Sequence, residues 1–138
     1  MTVFVDTSAI FALVDANDES HAIATGRLLH LISEQATMAV SNYVIVETCA
    51  LLQRRIGLKA VRTFREDVLP LLDVKWVTER QHEIGLASLV RADRRKLSLV
   101  DCVSFEVMRD SGLRNAFAFD RHFVEEGFDC DIPAARSN

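Results

Sequence analysis

Thr2-Val3-Phe4-Val5-Asp6-Thr7-Ser8-Ala9-Ile10-Phe11 opens the chain, and its reading decides the fold. Val3, Phe4 and Val5 form a short apolar, β-favouring run that stops at Asp6-Thr7-Ser8, after which Ile10, Phe11, Leu13 and Val14 recur at helical spacing. Strand, turn and helix follow in that order, and the pattern repeats downstream. A second helix is predicted from Asp18 through Gln35, with Ile23, Leu28, Leu31 and Ile32 on one stripe, followed by a short buried strand over Thr37 to Val40. Ser41 caps a helix from Asn42 to Ile56 that Gly57 ends, with Arg54 and Arg55 in the last turn, where cations suit the helix dipole. A helix over Leu58 to Val68 stops near Pro70, and Val74 to Val77 reads as the next strand. Thr78 caps a helix over Glu79 to Ala92, Asp93-Arg94-Arg95-Lys96 is a charged loop, and Ser98 caps a helix over Leu99 to Arg109. Ala116 to Phe119 is the following strand, Phe128 falls in a last short one, and the polar end at 135–138 is expected to fray. Short apolar runs alternating with helices predict a three-layer α/β/α domain around a central, mainly parallel sheet.

The chain's 138 residues fit one domain over 1–138, and no linker or internal repeat divides it. With 49% hydrophobic and 26% charged residues but only 5 Gly and 2 Pro, it has the material for a core and is not a disordered or low-complexity chain. The longest stretch free of Asp, Glu, Lys and Arg runs from Gln35 to Val46. That is well short of the roughly 18 apolar residues of a membrane span. Met1 is followed by no basic segment and no cleavage signal, so the expectation is a cytoplasmic chain with no membrane partner. Cys49, Cys102 and Cys130 are odd in number and widely spaced, as free thiols are. His21, His30, His82 and His122 lack zinc-site spacing.

Four carboxylates stand out, two that a helix cap explains when each is taken singly and two, Glu47 and Asp101, that a structural role explains poorly. Asp6 and Asp120 each end an apolar strand, and in parallel sheets ligands bind outside the carboxyl ends of the strands. Glu47 sits within Val44-Ile45-Val46-Glu47-Thr48-Cys49-Ala50, where its neighbours are apolar or small, which predicts a buried helix and a buried acid. Asp101 repeats the anomaly in Leu99-Val100-Asp101-Cys102-Val103. Helix capping for Asp6, Asp120 and Asp101, and a buried salt bridge for Glu47, are the structural alternatives. Sharing one site, four acids would repel, and a divalent cation would compensate them. An all-oxygen donor set selects Mg²⁺ or Mn²⁺ over zinc.

Val5-Asp6-Thr7-Ser8, Glu47, Leu97-Ser98-Leu99-Val100-Asp101 and Phe119-Asp120-Arg121-His122-Phe123, in that order, resemble the PIN domain. More narrowly, from Thr2 to about Phe128, the chain resembles the single-domain PIN toxins of VapBC toxin-antitoxin systems. The resemblance implies a Mg²⁺- or Mn²⁺-dependent endoribonuclease with catalytic, metal-holding acids at Asp6, Glu47, Asp101 and Asp120. On this reading Asp6 and Asp101 hold the principal ion. Asp120 completes its shell or supports a second ion, and Glu47 acts through water or orients the nucleophile. Thr7, Ser8 and Arg121 are supporting residues. An RNA substrate, a homodimer and an antitoxin protein inserting a peptide near the acids, often with an Arg among them, are implied as partners. The alternative is a catalytically weak PIN domain serving as an RNA-binding or protein-interaction module, against which four intact acids argue.

The net charge of −4 lacks the basic excess of a nucleic-acid binder, but setting aside four acids as metal ligands leaves 16 acids against 16 Lys and Arg. Arg54-Arg55, Lys59-Arg62-Arg65, Arg91-Arg94-Arg95-Lys96 and Arg121-His122 are the candidate phosphate contacts, with Arg121 favoured for its place beside Asp120. A haloacid-dehalogenase-like phosphatase is disfavoured, because Ser8 stands where that family has its second acid.

Overall fold

A computed structural model describes residues 1–135. Four strands, β1 (Thr2–Val5), β2 (Thr37–Ser41), β3 (Leu72–Lys75) and β4 (Asn115–Phe117), form one all-parallel sheet in the order β3-β2-β1-β4. Thr2 pairs with Thr37, Val3 with Asn115 and Met38 with Leu72. Val3, Phe4, Val5, Ala39 and Val40 are almost fully buried, as central parallel strands covered on both faces must be. The helices are α1 (Thr7–Val14), α2 (His21–Ser33), α3 (Asn42–Arg55), α4 (Leu58–Thr63), α5 (Glu79–Ala92), α6 (Leu99–Asp110) and α7 (Arg121–Glu125). β1, β2 and β3 step in one direction across the sheet and β4 reverses it. Right-handed crossovers therefore put α1 to α4 on one face and α5 with α6 on the other. This is the three-layer α/β/α architecture expected from the sequence.

The reversal opens a crevice between the carboxyl ends of β1 and β4. Asp6 follows β1 and caps α1, and its backbone N–H bonds Phe117 O at 3.0 Å, so the β1–β4 ladder runs on to the residue that carries the carboxylate. Ser41 caps α3 through Val44 N at 3.2 Å, and both α5 and α6 open on reciprocal capping boxes, Thr78 with Gln81 and Ser98 with Asp101. The helix starts nearest the crevice are thus set by local side-chain bonds.

Several boundaries differ from those expected. α2 begins at His21 rather than Asp18, because the Asp18 carboxylate accepts Ser20 N at 2.8 Å in a turn of its own. It ends at Ser33, and Gln35 adopts φ 53°, which no helix continues. The helix expected through Val68 ends as α4 at Thr63 and passes into one π turn over Phe64–Val68 and a 3₁₀ turn over Leu69–Leu71. β3 is Leu72–Lys75 rather than Val74 to Val77, because Val77 N is taken by Asn42 Oδ1 at 2.7 Å and Trp76 stands 75% exposed. β4 stops at Phe117 rather than Phe119, whose N–H turns aside to Ser8 Oγ at 2.9 Å. No strand forms at Phe128, only a single bridge between Asn115 and Asp129. Of the tail expected to fray, Ala135 is tied to Gly26 O at 2.9 Å, and residues 136–138 lie outside the described ones.

Candidate active site

Asp6 is 3% exposed. Its Oδ2 accepts Ser8 N at 3.1 Å and Ser8 Oγ at 2.7 Å, while Oδ1 is buried with no hydrogen-bond partner among the described residues. Burial pushes the Asp6 carboxyl up to about 7 against the two Ser8 bonds, and the charges of Asp101 and Glu47 push the same way. Ser8 Oγ also accepts Phe119 N, so a single hydroxyl clamps the β1 turn to the segment that leads into Asp120.

Asp101, 5% exposed, sits one turn into α6 with Oδ2 on Ser98 N at 3.1 Å, while its own N–H donates to Ser98 Oγ at 3.0 Å. Its carboxyl is raised by burial; the Ser98 bonds and His122 oppose the shift and the Asp120 charge adds to it. Glu47 departs from its expected surroundings. Val46 beside it is 69% exposed and Glu47 itself is half-buried, because Val44, Thr48 and Leu52 form the fully buried stripe of α3 and Glu47 stands off it. No cation pairs with Glu47 among the described residues, so the salt-bridge alternative falls away. Burial raises its carboxyl too, the Thr7 hydroxyl opposes, and the charges of Asp101 and Asp120 add. Thr7 is 4% exposed between α1 and α3, accepting the Thr48 hydroxyl at 3.3 Å.

Asp120 caps α7 through His122 N at 2.9 Å and keeps 31% of its side chain exposed. One ligand atom from each of Asp101, Asp120 and His122 lies within 4.8 Å of the others, and His122 Nε2 stands 3.8 Å from Asp120 Oδ1. Asp6 and Glu47 lie outside that close group but feel the charge of Asp101, and Glu47 that of Asp120 as well, so the four sequence-predicted carboxylates are near neighbours, with Ser8 bonded to Asp6 and Thr7 to Glu47. Arg121 is exposed and lines a cleft of about 620 Å³ that also includes Asp120. His122 was missed as a potential ligand. Its signal was its place two residues after Asp120, where the first turn of a capped helix returns it to the carboxylate. An apolar recess of about 300 Å³, lined by Tyr43, Val46, Ala50 and Val100, adjoins Glu47.

Three acids resist ionisation together and a buried carboxylate oxygen has no donor, which is what a cation site looks like when judged by its protein atoms alone. The oxygen-rich donor set suits a hard divalent ion, with Asp101, Asp120 and His122 offering the grouped ligand atoms and Asp6 and Glu47 coupled to them by charge.

Comparison with known proteins identifies the family. The family model described as PIN domain matches residues 3–128. The 23S rRNA-specific endonuclease VapC20, from two strains of Mycobacterium tuberculosis, is 41% identical over 127 residues, spanning 91% of this chain and 95% of that protein. The crystal structure of Mycobacterium tuberculosis VapC20, described as a sarcin-ricin loop cleaving toxin, superposes with a TM-score of 0.81 at 38% identity, covering 95% of this chain and 99% of that one.

Proposed function

The chain belongs to the PIN domain family, and from that premise we propose that it is an endoribonuclease hydrolysing RNA phosphodiester bonds at Asp6, Glu47, Asp101 and Asp120, with Mg²⁺ or Mn²⁺ held among them. The observation that carries the reading is the convergence of four carboxylates from four separate elements on one crevice, with Asp6 Oδ1 buried and unpartnered among the described residues. A bound divalent ion supplies charge neutralisation of the phosphate and a water of lowered pKa. The protein's own part is positioning. Ser8 holds Asp6, Ser98 holds Asp101, and His122 N holds Asp120, so three ligand carboxylates are oriented before any ion arrives. Glu47, half-open to solvent and backed by Thr7, is placed to orient the attacking water.

The named relative cleaves 23S rRNA, and the same substrate class, a loop of large-subunit ribosomal RNA, is proposed here. The toxin role, an antitoxin partner and a homodimer belong to the same proposal. The recess beside Glu47 fits an apolar side chain of an antitoxin segment, and exposed Trp76 and Val90, at 75% and 72%, suit a subunit contact. No helix is long and apolar enough to cross a membrane, the three cysteines are free, and a cytoplasmic site of action is proposed. Partner-free protein incubated with ribosomal RNA tests the reading. Discrete fragments are expected with Mg²⁺ or Mn²⁺, none with EDTA, and none from Asp6→Asn or Asp101→Asn. Cleavage that survives both substitutions would overturn it. Co-purification with an antitoxin and sedimentation of the purified chain test the partners.

A further inference from the structure

The cation clusters visible in the sequence are not equivalent in space. Arg54 and Arg55 close α3, whose first residue lies at the carboxyl edge of β2, and Lys59, Arg62 and Arg65 follow at that far end. The eight steps along the chain from Glu47 to Arg55 span about 12 Å of helix axis, and Arg55 is engaged over the Phe11 ring at 5.6 Å. Arg94, Arg95 and Lys96, from the turn between α5 and α6, instead share one cleft of about 620 Å³ with Arg121 of α7. Asp120 lines that cleft and also belongs to the acid cluster, so the two are continuous.

The walls of the cleft are tied together. Arg94 bonds Glu125 at 2.9 Å, and His122 Nε2 lies 3.3 Å from Lys96 O. That commits Arg94 to a carboxylate, whereas Arg95, Lys96 and Arg121 have no carboxylate within ion-pair distance among the described residues. Three unneutralised cations in one groove repel each other unless an anion lies between them. No Phe, Tyr or Trp lines the cleft, and three of its side chains are Arg and one is Lys, a lining weighted to phosphate contact.

We propose that this cleft is the subsite for the RNA backbone adjoining the scissile phosphate, with Arg95, Lys96 and Arg121 as its phosphate-contacting residues. The inference rests on the nuclease reading and adds the path of the strand, which leaves the acids past Asp120 and runs between the α5–α6 turn and α7. Contacts of this kind are independent of sequence, so the choice of loop is made elsewhere on the surface.

The test uses the full chain carrying Asp6→Asn, to silence cleavage, and a stem-loop oligoribonucleotide containing the sarcin-ricin loop. Affinity is measured across a range of KCl. Adding Arg95→Ala, Lys96→Ala or Arg121→Ala should weaken binding and lower the slope of log affinity against log salt by about 0.7 for each single-strand phosphate that is no longer neutralised. The Arg62→Ala, Arg65→Ala double variant at the far end should keep the parent slope. In the cleaving enzyme, the cleft variants should raise KM more than they lower kcat. Slopes and KM values equal to the parent's, or an equal loss in the far-end control, overturn the proposal, as does a cleft that proves to bind an acidic protein segment while RNA affinity is untouched. If the wild-type chain cuts RNA and Asp101→Asn does not while the cleft variants behave as wild type, the subsite fails and the nuclease reading stands. If nothing is cut with either metal although the slopes fall, the nuclease reading fails and the cleft remains an RNA-binding surface without the scissile phosphate beside it. Thermal melts of each variant verify folding.

Discussion

Asp6 caps a helix with one carboxylate oxygen and leaves the other without a partner among the described residues. Oδ2 accepts both donors of Ser8, which leaves Oδ1 buried without a donor among the described residues. The consequence for stability has a definite sign. The folded chain holds a proton on Asp6 up to about pH 7, whereas the unfolded chain releases it near 3.8. Without metal, stability is therefore greatest below about pH 4 with respect to this group, and it falls as pH rises to about 7, by roughly 4 kcal/mol in the limit. Urea denaturation in EDTA is expected to give a lower unfolding free energy at pH 8 than at pH 5.5, and Asp6→Asn is expected to flatten that difference and stabilise the metal-free chain at pH 8. An unchanged pH slope in Asp6→Asn would show that Asp6 is not the group responsible. The candidacy of Asp6 was legible from its place after an apolar strand. Its unpartnered oxygen was not, because hydrogen-bond satisfaction depends on neighbours more than a hundred residues away, such as Phe119.

At the scale of elements, the site depends on where α6 lies. α5 and α6 approach closely at Gly85, where a built Cβ would stand 2.6 Å from Val103 Cγ2 and 3.1 Å from Val103 N. Val103 is fully buried two residues beyond Asp101, so α6 has little room to yield. Gly85→Ala improves helix propensity by about 1 kcal/mol, but overpacking costs typically 1–3 kcal/mol. A net loss of stability is expected, with nuclease activity falling further than the melting temperature because Asp101 moves with the helix. A variant more stable than the parent and equally active would contradict this packing account. The helix starts at Asn42, Glu79 and Leu99 were legible because Ser41, Thr78 and Ser98 cap them through bonds that reach only three residues. The ends of β3 and β4 were not, since a strand ends where its partner stops pairing. Asn42 and Ser8, on other elements, draw away the N–H groups of Val77 and Phe119. The capping alternative for Asp120 is the one that opens the short α7, whose five residues carry too little periodicity to be read as a helix.

Across the whole molecule, strand order places the chemistry. β1 lies between β2 and β4, so the carboxyl ends of β1 and β4 meet at the reversal of winding, where α6 adds Asp101 and α3 adds Glu47. Because the four acids come from four elements, an ion bound among them should stabilise the fold as a unit. At a free-metal concentration 100 times its dissociation constant, Mg²⁺ or Mn²⁺ is expected to add about 2.7 kcal/mol, or roughly 10 °C in Tm, at pH 8. The gain should be smaller at pH 5, where protons compete for the carboxylates. Equal Tm values with metal and with EDTA at pH 8 would contradict a cation site. The sequence by itself determined the alternation of strands and helices, the capped helix starts and the identity of the four acids, because periodicity and capping are short-range physics written in neighbouring residues. Tertiary structure alone decided which two of the four basic clusters border the acids, that α3 leaves Glu47 half-open, and that His122 faces Asp101 and Asp120. Those outcomes depend on the order in which distant strands pair, which places residues far apart in the chain within a few ångströms of one another.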